Sequence, residues 1–197
     1  MDLRAYFNEQ AAHWDSLLTG EVISRLKELI GGLAIERGAK VLDVGTGTGV
    51  LIPFLAEAVG SSGTVVALDF APEMLAAARK KYSRPNVQFL EADVTAIPLS
   101  AETFDEVICN SAFPHFADQL RAAGEMCRVL KAGRRIVVCH PHSREYINNL
   151  HQSLGGAVGG DLLPDEETMR TIFSRAGFRD ITIEDVPGRY LLVAWKG

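Results

Sequence analysis

The residues with the most chemical content lie in VLDVGTGTGV, Val41 to Val50. An acid, Asp43, leads, and Gly45, Gly47 and Gly49 follow at alternate positions. A glycine loop of this kind after a buried strand lets a ligand press against bare backbone. A dinucleotide fingerprint wants a small residue three positions after the second glycine, and Val50 stands there instead. No lysine follows the glycines, so the loop is not a nucleotide phosphate cradle. Asp43 would also repel a pyrophosphate. The loop is built for a ligand without phosphates.

Two more acids extend the pattern. Asp69 closes TVVALD and is followed by Phe70; Asp93 closes NVQFLEAD and is followed by Val94. A carboxylate at a strand tip accepts hydrogen bonds from both hydroxyls of a ribose, and the next one accepts from the amine of an adenine. Glycines, a ribose acid and an adenine acid, in that order, describe adenosine carrying a cationic tail. Taken singly, Asp43 is equally a loop cap and Asp69 a helix cap; the ordered set is what carries the reading.

The elements that position these residues follow from apolar periodicity. Residues 1–38 read as helical, with a break at Gly31-Gly32. KVLDV (40–44), TVVALD (64–69), NVQFLEAD (86–93), FDEVICN (104–110) and RRIVVCH (134–140) read as strands. Helices are expected over 51–60, 71–82, 118–130, 144–154 and 165–177, and strands over 178–186 and 188–196. Alternating strand and helix specifies right-handed crossovers and a parallel sheet covered on both faces. The last two strands are joined too closely to be parallel. The expected fold is therefore α/β, a Rossmann-like, doubly wound, mostly parallel seven-stranded sheet with one antiparallel strand. Ligands bind at the carboxyl ends of such strands. One domain is expected: a helical cap (1–38), a cofactor-binding core (39–140), a lid insertion (141–164), and a closing helix and strand pair (165–197).

The set VLDVGTGTG (41–49), VVALDFAPEMLAAAR (65–79), VQFLEADVTAIPLSAETFDEVICN (87–110) and AGF (176–178) resembles the class I S-adenosylmethionine-dependent methyltransferases. It is most similar to the small subfamily that includes menaquinone and ubiquinone methyltransferases. The opening YFNEQAAHWD (6–15) resembles the N-terminal helix those proteins fold over the cofactor. The resemblance implies that Gly45, Gly47 and Gly49 lie against the methionine part and that Asp43 orients its ammonium. It implies that Asp69, with Phe70 beside it, holds the ribose, that Asp93 and Val94 hold the adenine, and that Asn110 faces the reactive methyl. Tyr6, Phe7, Trp14 and Phe113 are candidates for cation–π contact with the sulfonium, or else are lid and core packing.

Histidines are concentrated where an acceptor would enter. His115 follows the fourth strand, His140 and His142 follow the fifth, and His151 lies on the next helix. Three readings stand side by side: ordinary loop residues, a general base at His115 or His140, or a transition-metal site from His140, His142 and His151. The last has no recognised zinc spacing, so no metal is expected. Phe113, His142, Tyr146 and His151 are expected to line the acceptor pocket. Phe116, Ile147, Leu162 and Leu163 suggest that the acceptor is partly apolar.

The composition fits this reading. The chain has 197 residues, 47% hydrophobic and 23% charged, with net charge −5. A mildly acidic chain without a basic run is a poor ligand for nucleic acid. Cys109, Cys127 and Cys139 fit buried thiols of a reducing compartment rather than a disulfide framework. Neither a signal peptide nor a membrane span is visible, so a cytoplasmic location is expected. The partner is expected to be a small molecule. Two alternatives stay open: a nicotinamide-dependent reductase, and a non-enzymatic module that binds the cofactor or a metal.

Overall fold

The computed structural model describes residues 2–197. Its seven strands are β1 (Lys40–Val44), β2 (Thr64–Asp69), β3 (Val87–Glu91), β4 (Phe104–Asn110), β5 (Leu130–His140), β6 (Phe178–Val186) and β7 (Arg189–Lys196). They form one sheet in the order β3-β2-β1-β4-β5-β7-β6. β1 to β5 pair in parallel, and β7 runs antiparallel to both of its neighbours. The fold is the expected one. Because β7 is reversed, its first residues lie beside the last residues of β5, and Tyr190 pairs with His140.

The central strands are buried on both faces, so their runs are continuously apolar rather than alternating. One core face holds Leu42, Val66, Val107, Ile136, Val138 and Leu192. It is covered by α5 (Gln119–Val129) and α7 (Glu166–Arg175), with Ile147 from α6 (Arg144–Leu154). The other holds Val41, Val65, Ile108, Val137 and Cys139 under α2 (Gly20–Gly32), α3 (Ile52–Val59) and α4 (Pro72–Lys81). All three cysteines are free and buried. Pro72 opens α4, where its missing N–H costs nothing. Thr19, Ser143 and Asp165 cap α2, α6 and α7 through side-chain oxygens.

Three boundaries differ from those read off the sequence. The N-terminal region is broken, with α1 (Leu3–Gln10) followed by a short 3-10 turn over Trp14–Leu17. In α2, Gly31 and Gly32 continue the helix instead of breaking it, because both lie on its exposed side while Leu29, Ile30 and Leu33 are buried. β3 ends at Glu91, so Asp93 lies beyond the strand tip and caps a 3-10 turn over Val94–Ala96.

Loops at the carboxyl edge are packed against each other. Gly45 and Thr46 both donate their amides to the Leu68 carbonyl, at 2.8 and 2.9 Å. Gly45 has φ +68°, and a Cβ there would sit 2.3 Å from the Ala112 Cβ. The loops after β1 and β4 touch there, and only a glycine allows both the conformation and the contact. Gly45→Ala is expected to lower unfolding stability by about 1–3 kcal/mol through left-handed strain and the clash. A urea titration checks this, and a midpoint equal to that of the parent would contradict it.

Candidate functional site

The carboxyl ends of β1, β2, β4 and β5 carry Asp43, Asp69, Asn110 and His140, all of them buried. Asp43 Oδ2 accepts the Thr46 hydroxyl at 2.7 Å. Burial, reinforced by the charge of Asp69 and opposed by the Thr46 bond, raises the Asp43 pKa from its ordinary carboxylate value to about 7. Asp69 Oδ2 accepts from the Gly47 amide at 2.8 Å and Oδ1 from the Ala71 amide at 2.9 Å. Burial also raises its pKa, against those backbone bonds. No cation is paired with either acid among the described residues. Two buried acids, one with its pKa brought to about neutrality, form a niche under a glycine loop whose ionisation a cationic ligand would favour.

The loop above the acids is open backbone at Gly47 alone. Gly45, Gly47 and Gly49 all have positive φ. A Cβ on Gly47 would meet only the Trp14 ring nitrogen, 3.9 Å away, whereas one on Gly49 would collide with Ile52 and Tyr82. These residues fit a ligand that is cationic near the acids and presses on the chain at Gly47. Asp69 keeps unused lone pairs on both oxygens for hydroxyl donors. Asp93 is exposed and accepts from the Thr95 amide and hydroxyl, both at 2.7 Å. Val94 is buried behind it. Asn110 Oδ1 meets the Ser111 hydroxyl at 3.4 Å and the Cys139 thiol at 3.7 Å.

The N-terminal segment lies across this edge. Phe7 is the hub, packed edge-on against Tyr6, Trp14, Phe70 and His115 with ring centroids 5.1–6.0 Å apart. Asp15 pins the segment down. It accepts the Thr48 hydroxyl at 2.6 Å and is paired with Lys81 of α4 at 2.7 Å. Phe113 does not join this cluster. It is fully buried against Phe116 and Phe173, inside the core. A 3-10 turn over Phe113–His115 points its first and last residues in different directions. Phe113 is therefore a core residue, neither a sulfonium contact nor a pocket wall. Ile147 and Leu163 are likewise buried in the core, whereas Leu162 is exposed.

Three of the four histidines gather against the segment between β5 and α7. His115 Nδ1 lies 2.8 Å from Asp161 Oδ2. His151 Nδ1 bonds to the Asp161 carbonyl at 2.5 Å. The two imidazole centroids are 4.8 Å apart. His140 is buried nearby, and burial first, then the neighbouring His115, His151 and His142, lower its pKa to about 3. An imidazole held so firmly neutral is a poor proton acceptor near pH 7, which speaks against His140 as the general base. His142 turns to the rim, stacked on exposed Tyr146 at 4.1 Å, with Arg25 of α2 at 3.4 Å from its Nδ1. Among the described residues, no three His, Cys, Asp or Glu side chains converge where a metal ion could be held.

Sequence reasoning passed over Asp15, Asp161 and Tyr190. Asp15 ends the HWD run and Asp161 is the lone acid in GGAVGGDLLP; both were visible as isolated acids with no partner in the sequence. Tyr190 falls at an inward position of an alternating strand and reads as core.

The sequence profile of a family described as "Methyltransferase domain" matches residues 35–177. A demethylmenaquinone methyltransferase of Thermus thermophilus is 34% identical, over 87% of this chain and 90% of its own. A ubiquinone/menaquinone biosynthesis C-methyltransferase of Marinomonas sp. is 28% identical over 92% and 84%. Among solved structures, an S-adenosylmethionine-dependent methyltransferase from Aquifex aeolicus superposes with TM-score 0.75 at 24% identity, covering 95% of this chain and 96% of that one. The structure of a Haloferax volcanii complex of the Trm112 methyltransferase activator with a methyltransferase gives TM-score 0.80 at 23% identity over 96% of both chains.

The raised Asp43 pKa makes stability depend on pH. Its folded pKa lies above the unfolded value of 3.8, so the neutral acid stabilises the fold at low pH. That contribution is lost as pH climbs from about 4 to about 7. Asp43→Asn carries no such charge. Its melting temperature relative to the parent is expected to rise between pH 5 and pH 8, read by scanning calorimetry. A difference independent of pH would show that the carboxyl titrates normally.

Proposed function

The chain belongs to the class I S-adenosylmethionine-dependent methyltransferases, and on that premise we propose that it methylates a partly apolar, quinol-like small molecule with His115 as the general base. The family sets aside the nicotinamide-dependent reductase. The observation that carries the base assignment is the 2.8 Å contact between His115 Nδ1 and the Asp161 carboxylate, in the cluster where the β4 and β5 loops meet the lid.

S-adenosylmethionine supplies an electrophilic methyl group on a sulfonium. The chain's own residues supply position, dryness and proton management. Asp43 and Asp69 provide the negative field that a cationic cofactor needs, and Gly47 lets it lie against the backbone. The candidate ribose, adenine and methyl-facing contacts are Asp69, Asp93 with Val94, and Asn110. Phe7, Tyr6, Trp14 and Phe70 close the edge against water, and the ring faces among them favour a sulfonium by about 0.5–2 kcal/mol.

Each methyl gained costs the acceptor one proton. Asp161 fixes the His115 tautomer by accepting from Nδ1–H, which leaves Nε2 bare to take that proton and stabilises the imidazolium that results. For a phenolic ring, loss of the hydroxyl proton drives electron density onto the adjacent carbon, which would bond the methyl as the methyl–sulfur bond breaks and a neutral thioether leaves. The ring proton on that carbon is then released and the hydroxyl is restored. The relatives named for demethylmenaquinone and for quinone C-methylation support an acceptor of this class. His142, Tyr146 and His151 stand at its entrance. No helix among the described residues is long and apolar enough to cross a membrane, and the reading places the enzyme in the cytoplasm.

His115→Ala is expected to lower kcat by about 10²–10⁴-fold with a demethylmenaquinone analogue, while S-adenosylmethionine affinity stays within about two-fold. Asp161→Asn should fall between the parent and that variant. Steady-state kinetics with calorimetric cofactor binding reads both, and an unimpaired kcat in His115→Ala would remove the base.

A further inference from the structure

Two polar atoms at the carboxyl edge are unexplained by packing. His140 Nε2 and Tyr190 Oη are both sealed from solvent, and neither has a hydrogen-bond partner among the described residues. A third such atom, Arg189 Nε, belongs to a guanidinium already paired with Glu184 through Nη2. Leaving a buried donor or acceptor unsatisfied costs about 1–3 kcal/mol, so each case calls for a reason.

The two residues are direct cross-strand partners, at the last position of β5 and the second of β7. Their side chains project from the same face, with rings edge-on at 81° and centroids 6.0 Å apart. Every other residue of that face along these two strands is plainly apolar where it meets the core: Ile136, Val138, Leu192 and Ala194. A phenylalanine and a leucine would serve packing better. The polar pair stands only at the ligand end of the sheet, where His115 and His151 lie close enough to influence the His140 charge.

We propose that His140 and Tyr190 form an uncharged two-point clamp for one oxygen of the acceptor, a ring hydroxyl or carbonyl. This rests on the acceptor reading above and deepens it. The phenol both donates and accepts, and the neutral imidazole does one or the other at Nε2 according to tautomer. The clamp therefore takes a hydroxyl or a carbonyl equally, and neither of its two groups carries a charge. Burial keeps both groups neutral, lowering the His140 pKa and raising that of Tyr190. His115 handles the proton, and this pair handles recognition.

Equilibrium binding to the protein loaded with S-adenosylhomocysteine tests this without turnover. The probes are 1-naphthol and naphthalene, which differ by one oxygen. The parent should prefer 1-naphthol by about ten-fold or more, and Tyr190→Phe, which removes only Oη, should erase most of that preference without lowering the melting temperature. A preference unchanged in Tyr190→Phe, with or without a fall in melting temperature, would overturn the clamp and mark the pair as structural. Binding of neither probe to the parent would instead overturn the acceptor class on which the clamp rests.

Discussion

The fold takes two carboxylates out of water without giving either a cation among the described residues. Asp43 and Asp69 end neighbouring strands, both nearly inaccessible, and their partners are a hydroxyl and two backbone amides. Desolvation of this kind is costly, and removing it would stabilise the empty protein. The tension is held because the same carboxylates knit the loops together. Asp69 ties the glycine loop to the start of the loop before α4, and the Leu68 carbonyl takes two amides from that loop. The acids thus shape the loop and charge it at once. A ligand that brings positive charge to this niche relieves what folding has stored there.

The remaining elements keep that niche dry. The N-terminal segment is not part of the sheet's own core; it is attached by Phe7 at the centre of four aromatic contacts and by Asp15 between Thr48 and Lys81. On the other side, Val158 of the glycine-rich insertion packs into the cluster with Phe7, Ala71 and Met74. Helix α1 therefore lies between the cofactor loops and the insertion. Low dielectric strengthens every charge in such an enclosure, the unpaired acids most of all.

Much of this was legible in the chain. Continuous apolar runs mark the buried strands, and the short link before β7 forces its reversal, which is what brings Tyr190 beside His140. The acid-then-glycine spacing reports an opening without phosphates. What was not legible depends on directions that spacing does not encode. Phe113 and His115 are two residues apart, yet the 3-10 turn sends one into the core and the other to the lid. Asp93 looked like a strand tip because the apolar run continues past the last pairing at Glu91. Gly31-Gly32 looked like a break because a pair of glycines weakens a helix, but neighbouring buried leucine and isoleucine residues hold the last turn. Asp161 has no local motif at all; its role exists only once the insertion folds back onto His115.

That last contact joins closure to chemistry. Asp161 sits three residues from Val158 on the same insertion. One seats the loop against Phe7, and the other orients His115. If the insertion lifts, the site loses its water seal and the proposed base loses its fixed tautomer together. The charge layout follows the same logic. On the proposed reading, Asp43 and Asp69 favour a cation on the cofactor side, while Asp161 balances the proton that His115 takes on the acceptor side. An acceptor held by uncharged groups beside a histidine that gains its charge only late is the arrangement expected when positive charge must disperse across the reacting centres rather than collect on one of them.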